Sequence, residues 1–476
     1  MQIKSRYSAA MMTSVLRFHK RSSLSCFSLF YIFAVHFSES SHSNLLPTID
    51  ISLCDKVNAY HLRSSCYHEI DAALREYGTF VAVGHGIQPY YFAESFSNAD
   101  ELFSLEIDSK LNVSMSHHKD DFGRGYIPFG QEAGVSSYFE IKEGYSYGLP
   151  RKQLSDLNTK RNPMESLNIW PESLRVSTKD ALESVFTEKV RVAKIIIEAI
   201  VAVQAELDEV HGTQNDLVAA LTTTLTNEDK VDNSINRSVK VSSDGDSISL
   251  LRLFHYFSSE SESESESESE SEAEAEWKRN KNMKSKVEGE NNSDGKSQMN
   301  RTNIMKVENK TYIGSSPHTD WGLLTVIMQD EVGGLQFLYN NKWNDIPMIK
   351  HGLIINGGDY LHLISNGKYH SPIHRVLCPP KGRERTSFVF FYYPGFYSKI
   401  KRTKNGDVQI QMNTQPEQEI VHGGYNTFVK LKIRNDNNDD IINDKNGRMN
   451  NENENEYSTF GDYILQKWRG VTIAIS

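Results

Sequence analysis

Between Thr311 and Phe396 the apolar positions come in short runs of strand length, punctuated by Gly, Asn, Asp and Pro, and they lack helical spacing. Leu323 to Met328 (LLTVIM) and Phe388 to Tyr393 (FVFFYY) are the clearest, so the stretch reads as all-β. Upstream the pattern is mixed. LPTIDIS (Leu46 to Ser52) reads as an edge strand, and TFVAVGH (Thr79 to His85) as a second strand. Between them Cys66, Ile70, Ala73, Leu74 and Tyr77 mark one face of a helix that Gly78 stops. Ser177-x-x-Asp180 has the form of a capping box. It would open a long helix with Val185, Val192, Ile196, Ala199, Ile200 and Val203 on one broad apolar face, packed outside the strands. From about Leu207 to Ser247 the chain turns polar and reads as an inserted loop. Leu251 to Phe257 returns to strand character, and TFGDYILQKWRGV (Thr459 to Val471) reads as a closing amphipathic helix. The class is α+β.

Composition alters this picture in three places. The chain has 476 residues and a net charge of −10, but nine of its Glu lie between Ser259 and Glu276, which leaves the remainder near neutral. Nothing suggests a nucleic-acid-binding field. The acidic run continues into a Lys/Asn/Ser-rich stretch, and the whole insert, 258–310, has too little apolar content to offset the entropy of ordering. It is expected to be disordered, as is the Asn-rich segment 435–456. Residues 1 to 38 contain no Asp or Glu, and Leu24 to Phe37 is apolar but short for a membrane span. A leader over 1–45 directing the chain to an organelle or the secretory pathway is the expectation, with a cytoplasmic location as the alternative. Cys26, Cys54, Cys66 and Cys378 show no CxxC and no framework spacing, so a disulfide-built domain is not expected.

The candidate chemistry lies in the β-rich stretch. In an extended chain residues i and i+2 share a face, so His318 and Asp320 can offer an imidazole nitrogen and a carboxylate oxygen to one metal. A third ligand must come from a distant strand. His370 and His374 have the same parity. His374 is favoured because it continues into an apolar segment, whereas His370 follows an Asn366-Gly367 pair that reads as a hairpin turn. Two His and one carboxylate with open positions opposite form the arrangement of non-haem Fe(II) oxygenases. With 16 His in the chain, about one HxD is expected by chance, and His118-Lys119-Asp120 is a second instance. That pair lies in a polar, loop-like segment with no apolar run behind it. Arg385 and Ser387 also share a face, and Val389 and Phe391 continue it inward. A guanidinium pointing into an apolar interior needs an anion, and a fork plus a hydroxyl matches a carboxylate.

Taken in order, HTDWG (His318 to Gly322), GGLQF (Gly333 to Phe337), W-N-D-I-P (Trp343 to Pro347), LIINGGDYL (Leu353 to Leu361), SNGKYHSPIHRV (Ser365 to Val376) and RTSF (Arg385 to Phe388) resemble the iron/2-oxoglutarate-dependent dioxygenase superfamily. Within it they are similar to the branch of isopenicillin N synthase and the gibberellin and flavonoid oxygenases. The N-terminal half adds ALREYGTFVAVGHGI (Ala73 to Ile87), RGYIPFG (Arg124 to Gly130) and FEIKEGYSYG (Phe139 to Gly148). The resemblance implies a distorted double-stranded β-helix (jelly-roll) core with flanking N-terminal helices. It implies iron ligands at His318, Asp320 and His374, and a 2-oxoglutarate clamp at Arg385 and Ser387. Tyr256 matches the family's carboxylate-holding Tyr, although Phe257 stands where the family usually has Pro. Fe(II), 2-oxoglutarate and O2, with ascorbate as accessory, would then oxidise a small organic substrate and release succinate and CO2, in a monomer whose catalytic core has no membrane span. A 2-oxoglutarate-independent oxidase of isopenicillin N synthase type is the alternative, and a catalytically dead scaffold a further one. On this reading the N-terminal oxygenase region occupies 46–206, a polar insert 207–247, a core strand 248–257, the catalytic core 311–434, and the C-terminal helix and tail 457–476.

Overall fold

The computed structural model describes residues 45–54, 60–115, 123–132, 137–150, 164, 166–212, 216–226, 248–258, 310–398 and 459–475. The leader, the Ser-Glu run, the Asn-rich segment and the His118/Asp120 pair lie outside the described residues.

Strand sequences that alternate in character build a sheet with two differently packed faces. Eight strands make the major sheet: β1 (Thr48–Asp50), β2 (Thr79–Val83), β3 (Gly125–Ile127), β5 (Lys142–Gly148), β6 (Leu250–Tyr256), β9 (Leu324–Gln329), β12 (Leu353–Gly357) and β14 (Arg385–Tyr392). Their spatial order is β1-β2-β12-β9-β14-β6-β5-β3. Within this sheet only β1 and β2 pair in parallel, and β1 is an edge strand as expected. A second sheet comprises β8 (Ser315–His318), β10 (Leu335–Tyr339), β11 (Lys342–Asp345) and β13 (His374–Val376), in the order β11-β10-β13-β8. A short parallel pair joins β4 (Tyr138–Glu140) to β7 (Thr311–Ile313). Two principal sheets of this kind suit a distorted jelly-roll rather than a closed barrel.

The outer face of the major sheet carries Phe80, Tyr145, Leu253, Val326, Phe388 and Phe390, all buried in the larger of two hydrophobic clusters. They pack against the helices. These are α1 (Tyr60–Glu76), α2 (Pro89–Phe103), α3 (Ile107–Leu111) and the long α4 (Val176–His211), followed by α5 (Asp216–Thr226), α6 (Asp359–Ile364) and α7 (Phe460–Ile475). All six apolar residues expected on the long helix are buried, and Phe186 of α4 meets Phe390 edge to face at 5.0 Å. Each large side chain buried this way contributes roughly 1.5–3 kcal/mol. The inner face carries Val81, Phe254, Tyr256, Ile327 and Ile354, which join Leu335, Phe337 and Val376 of the second sheet in a smaller cluster. Val389 packs on this inner cluster, whereas Phe391, near the end of β14, packs on the larger one. Among the described residues no helix is long and apolar enough to cross a membrane.

Four local expectations need correction. The long helix starts at Val176, one residue before Ser177, and Arg175 is its N-cap without a side-chain cap bond. Its start is held instead by Glu101 of α2, which accepts from Arg175 Nε at 2.7 Å and Thr178 Oγ1 at 2.7 Å. The segment read as a polar loop from Leu207 begins as the last turn of α4, which Gly212 ends in a left-handed cap (φ 62°). It continues as α5, whose Leu217 and Leu221 are buried at helical spacing. Asn366 and Gly367 do both adopt positive φ (54° and 77°), but they follow α6 instead of joining two strands, so the stretch is not all-β.

Cys54 and Cys66 form a disulfide, twelve residues apart in sequence, that ties the chain after β1 to α1. It is one local staple and not a framework. Closing a loop of this size stabilises the fold by about 3 kcal/mol in the chain-entropy account. The double variant Cys54→Ser/Cys66→Ser should therefore lose about 2–3 kcal/mol in urea unfolding, and adding reductant should then change nothing further. Equal stability of variant and parent, without reductant, would mean that the thiols are not joined in solution.

Candidate active site

β8 and β13 run antiparallel with His318 directly opposite His374. Asp320 follows two residues beyond His318, where the alternation of an extended chain returns to the same side. Its backbone is fixed from α6: the Asp359 N–H donates to the Asp320 carbonyl at 2.7 Å. That contact brings the Gly358 backbone hard against the Gly322 backbone. A Cβ on Gly358 would stand 2.1 Å from the Gly322 carbonyl oxygen, a backbone atom that cannot swing away. Gly358→Ala should accordingly destabilise the protein by about 3 kcal/mol, the upper end of the usual cost of overpacking, and thermal unfolding measures it.

Each imidazole is oriented by its own chain. His318 Nδ1 meets the Ser316 carbonyl at 2.7 Å and His374 Nδ1 meets the Pro372 carbonyl at 3.1 Å. Carbonyls only accept, so both Nδ1 atoms carry a proton, and both Nε2 atoms face Asp320. His318 Nε2 lies 3.9 Å from Asp320 Oδ1, and His374 Nε2 lies 3.7 Å from Asp320 Oδ2. One ligand atom from each of the three residues falls within 4.8 Å of the other two. Asp320 and His374 are buried, and the buried Asp320 Oδ2 receives no hydrogen bond among the described residues. Burial, followed by the neighbouring His374, pushes the His318 imidazole down to about 4 and keeps it neutral, as a metal ligand must be. A buried carboxylate oxygen without a donor among the described residues, set between the Nε2 atoms of two imidazoles, fits a divalent cation with two-His-one-carboxylate preference.

Arg385, Ser387 and Tyr256, the residues expected to clamp a carboxylate, come together on the inner face of the major sheet. Arg385 stands opposite Tyr256 in the β14–β6 ladder, and Ser387 stands opposite Phe254. The Ser387 hydroxyl donates to the Tyr256 hydroxyl at 3.3 Å, and the Arg385 guanidinium lies 4.7 Å above the Tyr256 ring. All three side chains are at most 2% exposed. Arg385 donates from Nη2 to Gln329 Oε1 at 2.8 Å, while its Nε and Nη1 meet no acceptor among the described residues. A buried guanidinium with part of its fork unanswered is costly unless an anion completes it. Phe257 leaves Tyr256 where the clamp needs it, because its ring packs on His255 at 4.5 Å and Phe129 at 5.4 Å.

The histidine brought together with His318 and Asp320 is His374 and not His370. His370 is exposed, its ring lies beside His362, and its backbone N–H is tied to the Leu74 carbonyl. Sequence reasoning missed Gln329, whose pairing with Ser387 across β9 and β14 puts it on the clamp face. It also missed a buried charge cluster behind His318. There Lys142 meets Glu140 at 2.8 Å and Glu132 at 3.2 Å, and Glu132 also pairs with Arg252. The signal was present in FEIKEGYSYG, where Glu140 and Lys142 share a parity within otherwise strand-forming residues.

Two family models match the chain. Residues 297–394 match the 2OG-Fe(II) oxygenase superfamily, and residues 46–173 match the N-terminal domain described as non-haem dioxygenase in morphine synthesis. The chain is 30% identical over 398 residues to 1-aminocyclopropane-1-carboxylate oxidase of Dictyostelium mucoroides, covering 82% of this chain and 94% of the relative. Among solved structures, a full-length protein of Neurospora crassa in complex with alpha-KG aligns with a TM-score of 0.50 at 21% identity, covering 77% of this chain and 90% of that one. A putative 2OG-Fe(II) oxygenase family protein from Caulobacter crescentus aligns with a TM-score of 0.51 at 19% identity, covering 76% and 91%. At these identities the structural likeness speaks for the fold, and the sequence matches speak for the family. With the jelly-roll, the three converging ligands and the half-answered guanidinium in place, they establish that this chain belongs to the 2OG-Fe(II) oxygenase superfamily.

Proposed function

We propose that His318, Asp320 and His374 hold Fe(II), and that Arg385, Ser387 and Tyr256 receive the far carboxylate of 2-oxoglutarate, in an oxygenase acting on a small organic molecule. When bound, iron and 2-oxoglutarate supply the oxidation of a substrate C–H bond by O2, with release of succinate and CO2. The chain supplies orientation and dryness. Ser316 and Pro372 fix the histidine tautomers through their carbonyls. Arg385 offers the fork, Ser387 and Tyr256 offer hydroxyls, and Gln329 holds one arm of the guanidinium so that the rest is free for the ligand. Ile327, Phe254 and Ile354 pack between the sheets and keep water from competing for these donors.

The observation that carries this reading is the buried Arg385, whose Nε and Nη1 meet no acceptor among the described residues, on the sheet face that packs against the sheet carrying His318 and His374. The test uses carboxyl-labelled 2-oxoglutarate with Fe(II), ascorbate and O2. Slow release of labelled CO2 without prime substrate is expected, and its acceleration by one member of a small-molecule panel would identify the substrate class. Oxygen uptake with no labelled CO2 would instead support the oxidase that uses no 2-oxoglutarate. Neither signal from iron-loaded protein would support the inactive scaffold.

A further inference from the structure

Among the described residues β8 is the last strand of the second sheet, so its outer edge has no strand neighbour there, and its ladder to β13 is irregular between His374 and Val376. An edge strand with an irregular ladder is a poor mount for a metal ligand, because its outward backbone N–H groups lack a partner strand to hold them in register. Here the missing restraint comes from a side chain. Glu140, at the end of β4, accepts the Ser316 N–H at 2.7 Å through Oε1 and also accepts the Ser316 hydroxyl there. The same peptide segment then presents the Ser316 carbonyl to His318 Nδ1. Glu140 is itself fixed: its Oε2 meets Lys142 Nζ at 2.8 Å, and Lys142 donates to the Ser315 hydroxyl at 3.3 Å. Lys142 is anchored in turn by Glu132 at 3.2 Å. Glu140 and Lys142 are at most 5% exposed.

We propose that Glu140 is a positioning residue for the metal centre: its carboxylate oxygen stands in for a neighbouring strand, holds Ser316 by both its N–H and its hydroxyl, and so sets the carbonyl of that residue, which fixes the tautomer and aim of His318. Lys142 keeps the carboxylate in place. The chain of contacts needs an acceptor oxygen at the end of a side chain of this length. It does not need the negative charge at the Ser316 end, because Lys142 retains Glu132 as a counter-ion. This inference rests on the reading of His318 as an iron ligand.

The test measures anaerobic Fe(II) affinity and, separately, the visible absorption of the Co(II)-substituted protein, which reports the ligand field and not general stability. Glu140→Asp withdraws the oxygen by one methylene and is expected to weaken metal binding by about 10–100-fold, the usual effect of removing an outer partner of a metal ligand, with a shifted Co(II) spectrum. Glu140→Gln keeps an oxygen at full reach for Ser316 but turns its amide NH2 to Lys142, so it should recover part of the affinity, more than Asp does, with a spectrum closer to the parent's. Asp and Gln variants that both bind metal like the parent, with unchanged spectra, would overturn the proposal. So would equal losses in both, which would make the charge, and not the reach, the essential property. His318→Ala is run alongside. If that variant binds Co(II) like the parent, the reading of the metal site itself fails. If it loses the metal while Glu140→Asp does not, the positioning role alone fails.

Discussion

His318→Ala, Asp320→Ala and His374→Ala are each expected to abolish iron-dependent stabilisation of the protein together with all turnover of 2-oxoglutarate. The parent protein at about 100 times its dissociation constant for Fe(II) should gain about 2.7 kcal/mol, because the metal binds the folded state alone. Each variant removes one of only three ligands, so this gain should vanish, and anaerobic unfolding with and without Fe(II) measures it directly. The variants should fold. Asp320 is buried and its Oδ2 receives no hydrogen bond among the described residues, so replacing it with Ala strands no donor in the metal-free protein. Metal-free Asp320→Ala should thus be no less stable than the metal-free parent, while being unable to respond to iron. His118→Ala and Asp120→Ala should retain the full iron response, and an equal loss at that pair would refute the assignment. Loss of the response in His370→Ala but not in His374→Ala would move the distal ligand to His370, against its exposed position beside His362.

The convergence of His318, Asp320 and His374 shows what kind of information the chain carries openly. His318-Thr319-Asp320 was legible because period-two alternation and the apolar run behind it are both local properties. The same alternation placed Arg385, Ser387 and Val389 on one face, and the register with β6 brings Tyr256 to them. Properties decided by distant partners were not legible. Ser177 and Asp180 have the right spacing for a capping box, but Glu101 from another helix already holds the start of α4, and the helix begins one residue earlier. Asn366-Gly367 has the right dihedral preference for a hairpin, yet the residues before it satisfy their backbone in α6, where the Asp359 N–H is needed at the Asp320 carbonyl. The polar average of the segment after Leu207 hid Leu217 and Leu221, which need only one turn of helix between them to bury both. The spacing of Cys54 and Cys66 carried no signal because what joins them is the packing of α1 beside β1, a tertiary fact.

Arg385 separates a ligand-binding role from a structural one by the sign of two effects. A structural guanidinium is answered by the protein, so removing it strands a partner and destabilises the fold by about 3–5 kcal/mol. Arg385 has no carboxylate partner among its described contacts: Gln329 takes one nitrogen, and Nε and Nη1 are left without acceptors at 1% exposure. In the ligand-free protein that charge is a burden, and Arg385→Met should raise the stability of the metal- and ligand-free protein by about 1–4 kcal/mol, the range seen when buried ionic groups are replaced by apolar side chains. The same substitution strands the far carboxylate of 2-oxoglutarate without its cation, so the half-saturating concentration should rise by roughly 10²–10⁴-fold, equivalent to about 3–5 kcal/mol. Iron-dependent stabilisation should persist, since none of the three metal ligands is touched. Arg385→Lys should recover only part of the affinity, because an ammonium is a point charge and cannot reproduce the two-pronged geometry. Ser387→Ala should cost about 1–3 kcal/mol, as one hydrogen bond to a charged group does. Urea unfolding of the ligand-free variants, set beside labelled CO2 release as a function of 2-oxoglutarate, gives both signs in one series. A variant that loses stability and keeps its 2-oxoglutarate requirement would reassign Arg385 to the scaffold.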